Sequence, residues 1–486
     1  MSIEAKPLSE RSSTLQSNAI GLPGVLFQSV TTMAPAGAVA FSLGAAIPFT
    51  GGALPLAVLI ALIVCLLVAL NIASMAKHLP SAGGFFTYVS RGLGPQMGWL
   101  VGWLFTLTYI LLLPLTLLVL GSVTDAFLSG TFHISFGSNG WIVYALIFAA
   151  VAFLLTYFGI KISADAGVVL GAIEISIFVV LSLWLIIQAG SGNTLATFNP
   201  ASSLQSGLGG WQGVLFGMLF AFLAFSGFES SATLGEESRN PRRIVPRAIL
   251  LATLCIGIFY VFCGYAGVVG WGLAKITSYP NDQNPWGTLA ARAWGPAAFI
   301  AILAILNSAL GNANAGINAL ARQLYAMGRI RAFPGLLGQT NRYHTPGRAI
   351  ILALIVGTIL TLVAGLIYGP TLGFAFLGSL LTVPILLVYM TTCLAVPFFY
   401  LKEHRSEFTV LRHLILPAVP FILLAIVLYF QFVPLPPAPF ILVGPLDAAW
   451  LVLGIIIVAL LSWRTPQILQ QGDTLFVADS TEKELA

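Results

Sequence analysis

Twelve stretches of the chain run apolar almost without interruption over about 20 residues or more, the length a helix needs to cross a bilayer. They lie at residues 18–48, 52–76, 95–124, 140–160, 164–189, 211–236, 246–271, 296–328, 348–368, 372–399, 411–432 and 446–463. Runs such as Ala53 to Ala69 are continuous rather than alternating, so the period-2 strands of a membrane barrel do not fit and helices do. The expected fold class is all-α integral membrane, with 12 transmembrane helices. Residues 190–210, rich in Gly, Ser, Asn and Thr, read as an external loop that divides two halves, and the tails at 1–17 and 466–486 are polar.

Composition agrees: 58% of the 486 residues are hydrophobic and only 8% charged, against roughly 25% charged in a soluble domain. A water-soluble fold is excluded. The net charge of +5 reports orientation rather than an affinity for nucleic acid. Of the 21 basic residues, all but Lys275 and Arg292 fall on the same side of the expected spans. That excess marks the cytoplasmic face and puts both termini there. The four cysteines, Cys65, Cys255, Cys263 and Cys393, lie inside apolar runs without CxxC spacing, which argues against disulfides and zinc sites. Residues 1–17 lack the apolar core and cleavage site of a signal peptide, so the first span is expected to direct insertion.

The chain also repeats itself. Arg91-Gly-Leu-Gly-Pro95 precedes span 3 and Arg292-Ala-Trp-Gly-Pro296 precedes span 8, an offset of 201 residues. Span 1 carries Thr31-Thr-Met-Ala-Pro-Ala-Gly37 and span 6 carries Phe225-Ser-Gly-Phe-Glu229, each a cluster of helix-weak residues in mid-span. Five spans separate corresponding points, so the second unit must run in the opposite sense. Interrupted helices at matching places of two inverted repeats point to a transporter's substrate site near the bilayer midplane. Half-helix N-termini favour a carboxylate and freed carbonyls favour an ammonium; an amino acid carries both. The blander reading is that Pro35, Gly37 and Gly227 only let helices kink and pack.

Three further motifs carry a resemblance. They are Ser81-Ala-Gly-Gly-Phe-Phe-Thr-Tyr88; Gly227-Phe-Glu229 with Glu236-Glu-Ser-Arg-Asn-Pro241 and Pro246; and Arg322-Gln-Leu-Tyr-Ala-Met-Gly-Arg329 with Phe333-Pro334 and Thr345-Pro346. From about residue 18 to 400 the chain resembles the amino acid, polyamine and organocation permeases. The resemblance implies a LeuT-like five-plus-five inverted repeat, residues 18–189 and 211–400, with spans 11 and 12 (401–465) appended, and alternating-access transport of amino acids or amines. It implies that Pro35, Ala36 and Gly37, flanked by Thr32 and Met33, hold the substrate carboxylate. It further implies that Ala224, Phe225, Ser226 and Gly227 supply carbonyls for the ammonium, that Phe222 and Phe225 form an aromatic gate beside Leu223, and that Asn312 faces the substrate. Many members have Gly-Ser-Gly where this chain has Pro-Ala-Gly, so one N–H donor is missing.

Of sixteen acidic residues, Glu174 and Glu229 are the two expected well within spans, where a charge costs several kcal/mol unless neutralised or paired. Glu229 follows the span 6 break, and Glu174 lies in span 5, thirteen residues after Lys161. By the resemblance, sodium-independent members carry a lysine near this point, close to where sodium-coupled relatives bind their ion. Both acids are candidate proton carriers, with structural bracing as the alternative. Asn307, Asn314 and Asn318 fall on one face of span 8, to line a substrate path or to join helices. Arg239, Arg242, Arg243 and Arg247, alternating with Glu236 and Glu237, read as a charge cluster or a cytoplasmic latch.

A membrane-embedded enzyme is disfavoured, because His78, His133, His344, His404 and His413 all sit in loops or at span edges and no HExxH or GxSxG occurs. A channel would need a pore ring or filter loop. The remaining expectation is a permease of the bacterial inner membrane, taking up amino acids with protons, without a cofactor. Amine or polyamine transport and obligatory exchange are the alternatives.

Overall fold

The structure, a computed structural model, describes residues 20–79, 84–159, 164–234, 238–329, 334–343 and 345–464. The two tails, Lys161, Glu236 and Glu237 and the first residues of the Ser81 motif lie outside them. Among the described residues the fold is helical, with a single bridge pairing Ile20 with Ser238. In chain order the helices are α1 (Leu22–Met33), α2 (Pro35–Gly37), α3 (Leu43–Thr50), α4 (Leu54–His78), α5 (Phe85–Leu93), α6 (Pro95–Phe132), α7 (Trp141–Tyr157) and α8 (Ala164–Ala189). After them come α9 (Trp211–Phe225), α10 (Pro241–Trp271), α11 (Pro285–Trp294), α12 (Phe299–Arg329), α13 (Gly347–Tyr368), α14 (Pro370–Glu403), α15 (Leu416–Phe432) and α16 (Val443–Arg464).

Among the described residues, ten helical stretches are long and apolar enough to cross a membrane. The difference from the twelve expected has two sources. Leu22–His78 is one stretch of 57 residues, more than twice what a bilayer requires, and it contains both of the first two expected spans; its backbone is interrupted at Ala34 and again at Gly51, where φ is +50°. The other source is α7, an apolar helix of only 17 residues.

Proline and glycine set the helix ends. Pro95, Pro241, Pro285 and Pro370 stand in the first turn of their helices, where a missing N–H costs nothing. The two copies of the R-x-x-G-P motif occupy equivalent corners. Gly94 (φ +103°) ends α5 ahead of Pro95, and Gly295 (φ +58°) ends α11 ahead of Pro296. The glycine closes one helix and the proline opens the next. Residues 190–210 are not slack: they form short 3-10 turns, and Ser203 donates to the carbonyl of Phe49 at 2.8 Å.

The centre of the bundle is α14, α6, α9 and the α1–α4 run; α14 is largely buried, whereas α16 is largely exposed on the outside. α4 packs along α10, and α6 along α12 and α14. The outer helix α16 adds an acid to the two expected inside the membrane. Asp447, at the edge of the expected span 446–463, stands in the second turn of α16 and is buried, and neither of its carboxyl oxygens has a hydrogen-bond partner. Burying an unsatisfied polar group costs about 1–3 kcal/mol. Asp447→Leu is therefore expected to raise the thermal unfolding midpoint in detergent; a lower midpoint would mean that the carboxyl has a partner.

Candidate functional site

The first element of the site is a break in span 1. α1 stops at Met33 because the next residue, Ala34, precedes a proline, which disfavours the right-handed helical region; Ala34 takes φ +46°, ψ +67°. A non-glycine residue there is strained. Pro35 restarts the helix, which runs through α2, a wide turn at Ala38–Ser42 and α3 to Thr50. The break frees carbonyls of α1, which in a membrane must find partners. Thr32 O accepts from Asn312 Nδ2 on α12 at 3.0 Å, and Met33 O accepts from Tyr260 Oη on α10 at 2.8 Å.

Span 6 breaks in the same layer. α9 ends at Phe225, Ser226 turns extended and Gly227 has φ +111°. The glycine is required twice over. Its φ is rarely adopted by other residues, and a Cβ on it would stand 2.7 Å from Cγ2 and 2.9 Å from the carbonyl carbon of Thr32. The two breaks thus touch backbone to backbone. Tyr260 joins them, since its hydroxyl lies 2.9 Å from Ala224 O as well as 2.8 Å from Met33 O. A phenol has one proton to give, so one of these two carbonyls always retains acceptor capacity. Below the contact a serine cluster ties the halves: Ser29 Oγ lies 2.7 Å from Phe228 O and 2.5 Å from Ser231 Oγ, Ser231 Oγ donates to Val25 O at 2.6 Å, and Ser230 Oγ donates to Thr32 Oγ1 at 3.1 Å.

Two buried carboxyls flank the breaks. Glu174 of α8 accepts from Asn307 Nδ2 at 2.9 Å and Ser308 Oγ at 3.1 Å, both on α12, and it lies close enough to the backbone N–H of Ala36 to interact with it electrostatically. Its carboxylate therefore stands at the N-terminus of the restarted helix, the positive end of that helix dipole. Glu229 Oε2 accepts from the N–H of Gly227 at 3.1 Å and from Tyr389 Oη of α14 at 3.0 Å, closing the span 6 break onto its own backbone.

Thr32, Met33, Pro35, Ala36 and Gly37 all lie at the first break, and Ala224, Phe225, Ser226 and Gly227 at the second. Phe222 and Phe225 are fully buried, Phe225 edge-on to Tyr260 at 5.3 Å, while Leu223 turns away to Gly378 on α14. The asparagines of α12 divide. Asn307 and Asn312 reach the site, the latter with a buried, unpartnered Oδ1, whereas Asn318 bonds Asn314 within its own helix. Ser308, next to Asn307 in the chain, shares its carboxylate. Sequence reasoning missed Tyr260, Tyr389 and the serines. A tyrosine in mid-span is the one signal that was available, because a buried hydroxyl needs a partner.

Residues 24–467 match the amino acid permease family. The chain is 26% identical to the branched-chain amino acid permease BcaP of Lactococcus lactis, over 72% of this chain and 74% of that one. It is 28% identical to a probable GABA permease of Pseudomonas aeruginosa (78% and 79%) and 26% to the low-affinity putrescine importer PlaP of Escherichia coli (68% and 73%). Among solved structures, the manganese transporter of Eremococcus coleocola shares the fold, with a TM-score of 0.58 at 13% identity over 95% of this chain and 99% of that one. These relatives are transport proteins and not enzymes. With its membrane-length helices and its motifs, the chain belongs to the amino acid permease family.

Proposed function

We propose that the protein is a secondary active transporter that takes up an amino acid with a proton by alternating access, binding it between the breaks of spans 1 and 6. The observation that carries this reading is the pair of juxtaposed breaks bridged by Tyr260, with a donor end at Ala36 and an acceptor end at Met33 O and Ala224 O. The substrate ammonium takes the carbonyl that Tyr260 leaves free, together with Asn312 Oδ1. Its carboxylate takes the helix N-terminus at Ala36 and Gly37. Glu174 lies beside that end, so a charged Glu174 and the substrate carboxylate compete for it. Protonation of Glu174 turns it from an acceptor into a donor and releases the N–H, so proton and carboxylate bind together. Glu229, held by Tyr389, is the second proton candidate or a brace of the break.

The reading includes twelve spans, counting two in Leu22–His78 and one in α7, arranged as two inverted repeats of five with two more appended. Both termini face the cytoplasm of a bacterial inner membrane, supported by the one-sided distribution of basic residues. The relative whose name gives putrescine as its substrate favours an amine as the second reading. An amine without a carboxylate has no need to displace Glu174. Binding of a panel containing branched-chain amino acids, GABA and putrescine to the purified protein separates the two. Binding of carboxylate-bearing compounds that weakens about tenfold in Tyr260→Phe, because the two breaks lose the hydroxyl that ties them together at a cost of ~1.4 kcal/mol, fits the proposal. Binding that Tyr260→Phe leaves unchanged would move the substrate elsewhere.

A further inference from the structure

Away from the breaks, three side chains that ligate metals converge where α4, α14 and the turn after α14 meet. We propose that His78, His404 and Glu407 form a site for a divalent transition metal of the zinc, cobalt and nickel class, which the account of transport above does not use. Their ligand atoms all lie within 4.8 Å of one another. His78 Nε2 is 3.5 Å from Glu407 Oε2, and His404 Nδ1 is 3.7 Å from Glu407 Oε1. A tetrahedral ion with bonds of about 2.0–2.1 Å holds its ligand atoms roughly 3.3 Å apart, so small side-chain rotations close the shell.

The second observation is His78 Nε2 itself. It is buried and makes no hydrogen bond, although the ring sits beside a carboxylate and 4.1 Å, centroid to centroid, from the ring of His404. A buried imidazole nitrogen left unpaired asks for a partner, and two imidazoles with one carboxylate make the nitrogen-rich set that zinc-like ions prefer. Calcium and magnesium, which take oxygen ligands, do not suit it. The imidazoles are fixed from outside the cluster: Phe399 and Tyr400 pack against both rings. Three protein ligands leave one position for water or another donor. The competing cation is Lys77, whose Nζ is 3.9 Å from Glu407 Oε2 but whose side chain is 62% exposed, so it swings into solvent at little cost.

Occupancy would pin the end of α4, which packs on α10, to the end of α14, which packs on α6. The same corner is already strapped by the paired contacts of Arg91 with Glu403 at 2.9 and 2.6 Å and by Lys402 Nζ on Gly92 O at 3.0 Å. A restraint on transport rests on the carrier reading; metal binding does not, and it is tested first, without transport. Tag-free protein in detergent is titrated with Co2+ and read by its visible absorption. The expected result is one intense tetrahedral band per chain, displaced by Zn2+ and untouched by excess Mg2+. Glu407→Gln and His404→Ala weaken it more than about tenfold, the loss that even an outer-sphere change causes. Lys77→Gln strengthens it or leaves it unchanged. Absence of the band, or a band of equal affinity in both ligand variants, would overturn the site. Glu407, at a side-chain exposure of 47%, can be changed without disturbing the fold, so a misfolded histidine variant cannot obscure the outcome.

Discussion

Gly227→Ala is expected to abolish uptake, lowering the initial rate in proteoliposomes by more than about 100-fold, the cost that a displacement near 1 Å at a binding centre commonly carries. The added methyl would lie 2.7 Å from Thr32 Cγ2 and 2.9 Å from the Thr32 carbonyl carbon. Both are nearer than real side chains approach, and one partner is backbone that cannot rotate aside. Thr32 O is also the acceptor for Asn312, so the clash moves the span 1 break, the α12 contact and the span 6 break together. Strain from positive φ alone is separated by Gly209→Ala, where φ is +65° but nothing lies within 4 Å of the new carbon. That variant is expected to transport normally. Full uptake by Gly227→Ala would mean that the contact between the breaks is not the substrate site.

The second large effect concerns coupling. Uptake by the wild type is expected to rise as the external solution is made more acid, because in the proposed cycle a proton moves inward with the substrate. In Glu174→Gln the dependence on external pH is expected to flatten. Glutamine keeps the shape, still accepts from Asn307 and can donate to Ser308, so the contacts of α8 with α12 survive, but it has no proton to take up or release. Initial rates at several external pH values, with the internal pH held constant, check this. A slope unchanged from wild type would remove Glu174 from the coupling path and leave Glu229, whose Glu229→Gln counterpart would then be measured.

Much of the architecture was legible in the residues because the bilayer imposes a length and an apolar character on each helix. The breaks were legible for a related reason, since Pro35 and Gly227 in mid-span contradict their surroundings. At both R-x-x-G-P motifs, 201 residues apart, the structure shows a glycine that closes one helix ahead of a proline that opens the next. What the residues did not reveal is which groups meet across helices. Glu174 meets Ala36 and Ser308, and Tyr260 meets both breaks, through contacts spanning 36 to 227 residues of sequence that no local pattern encodes. Nor did helical-face arithmetic show that the adjacent Asn307 and Ser308 share one acceptor, which they do because a single carboxylate offers two oxygens. Asp447 escaped notice because it stands at the edge of its apolar run, where one turn decides between solvent and interior.

The central claim is that substrate and proton move together through the site between the two breaks. The most direct test is uptake of labelled branched-chain amino acids, GABA and putrescine into proteoliposomes, without sodium, with and without an inward proton gradient. The account predicts concentrative uptake of a carboxylate-bearing substrate that collapses when a protonophore is added. Uptake that occurs only when the liposomes are preloaded with substrate, and that ignores the proton gradient, would contradict it.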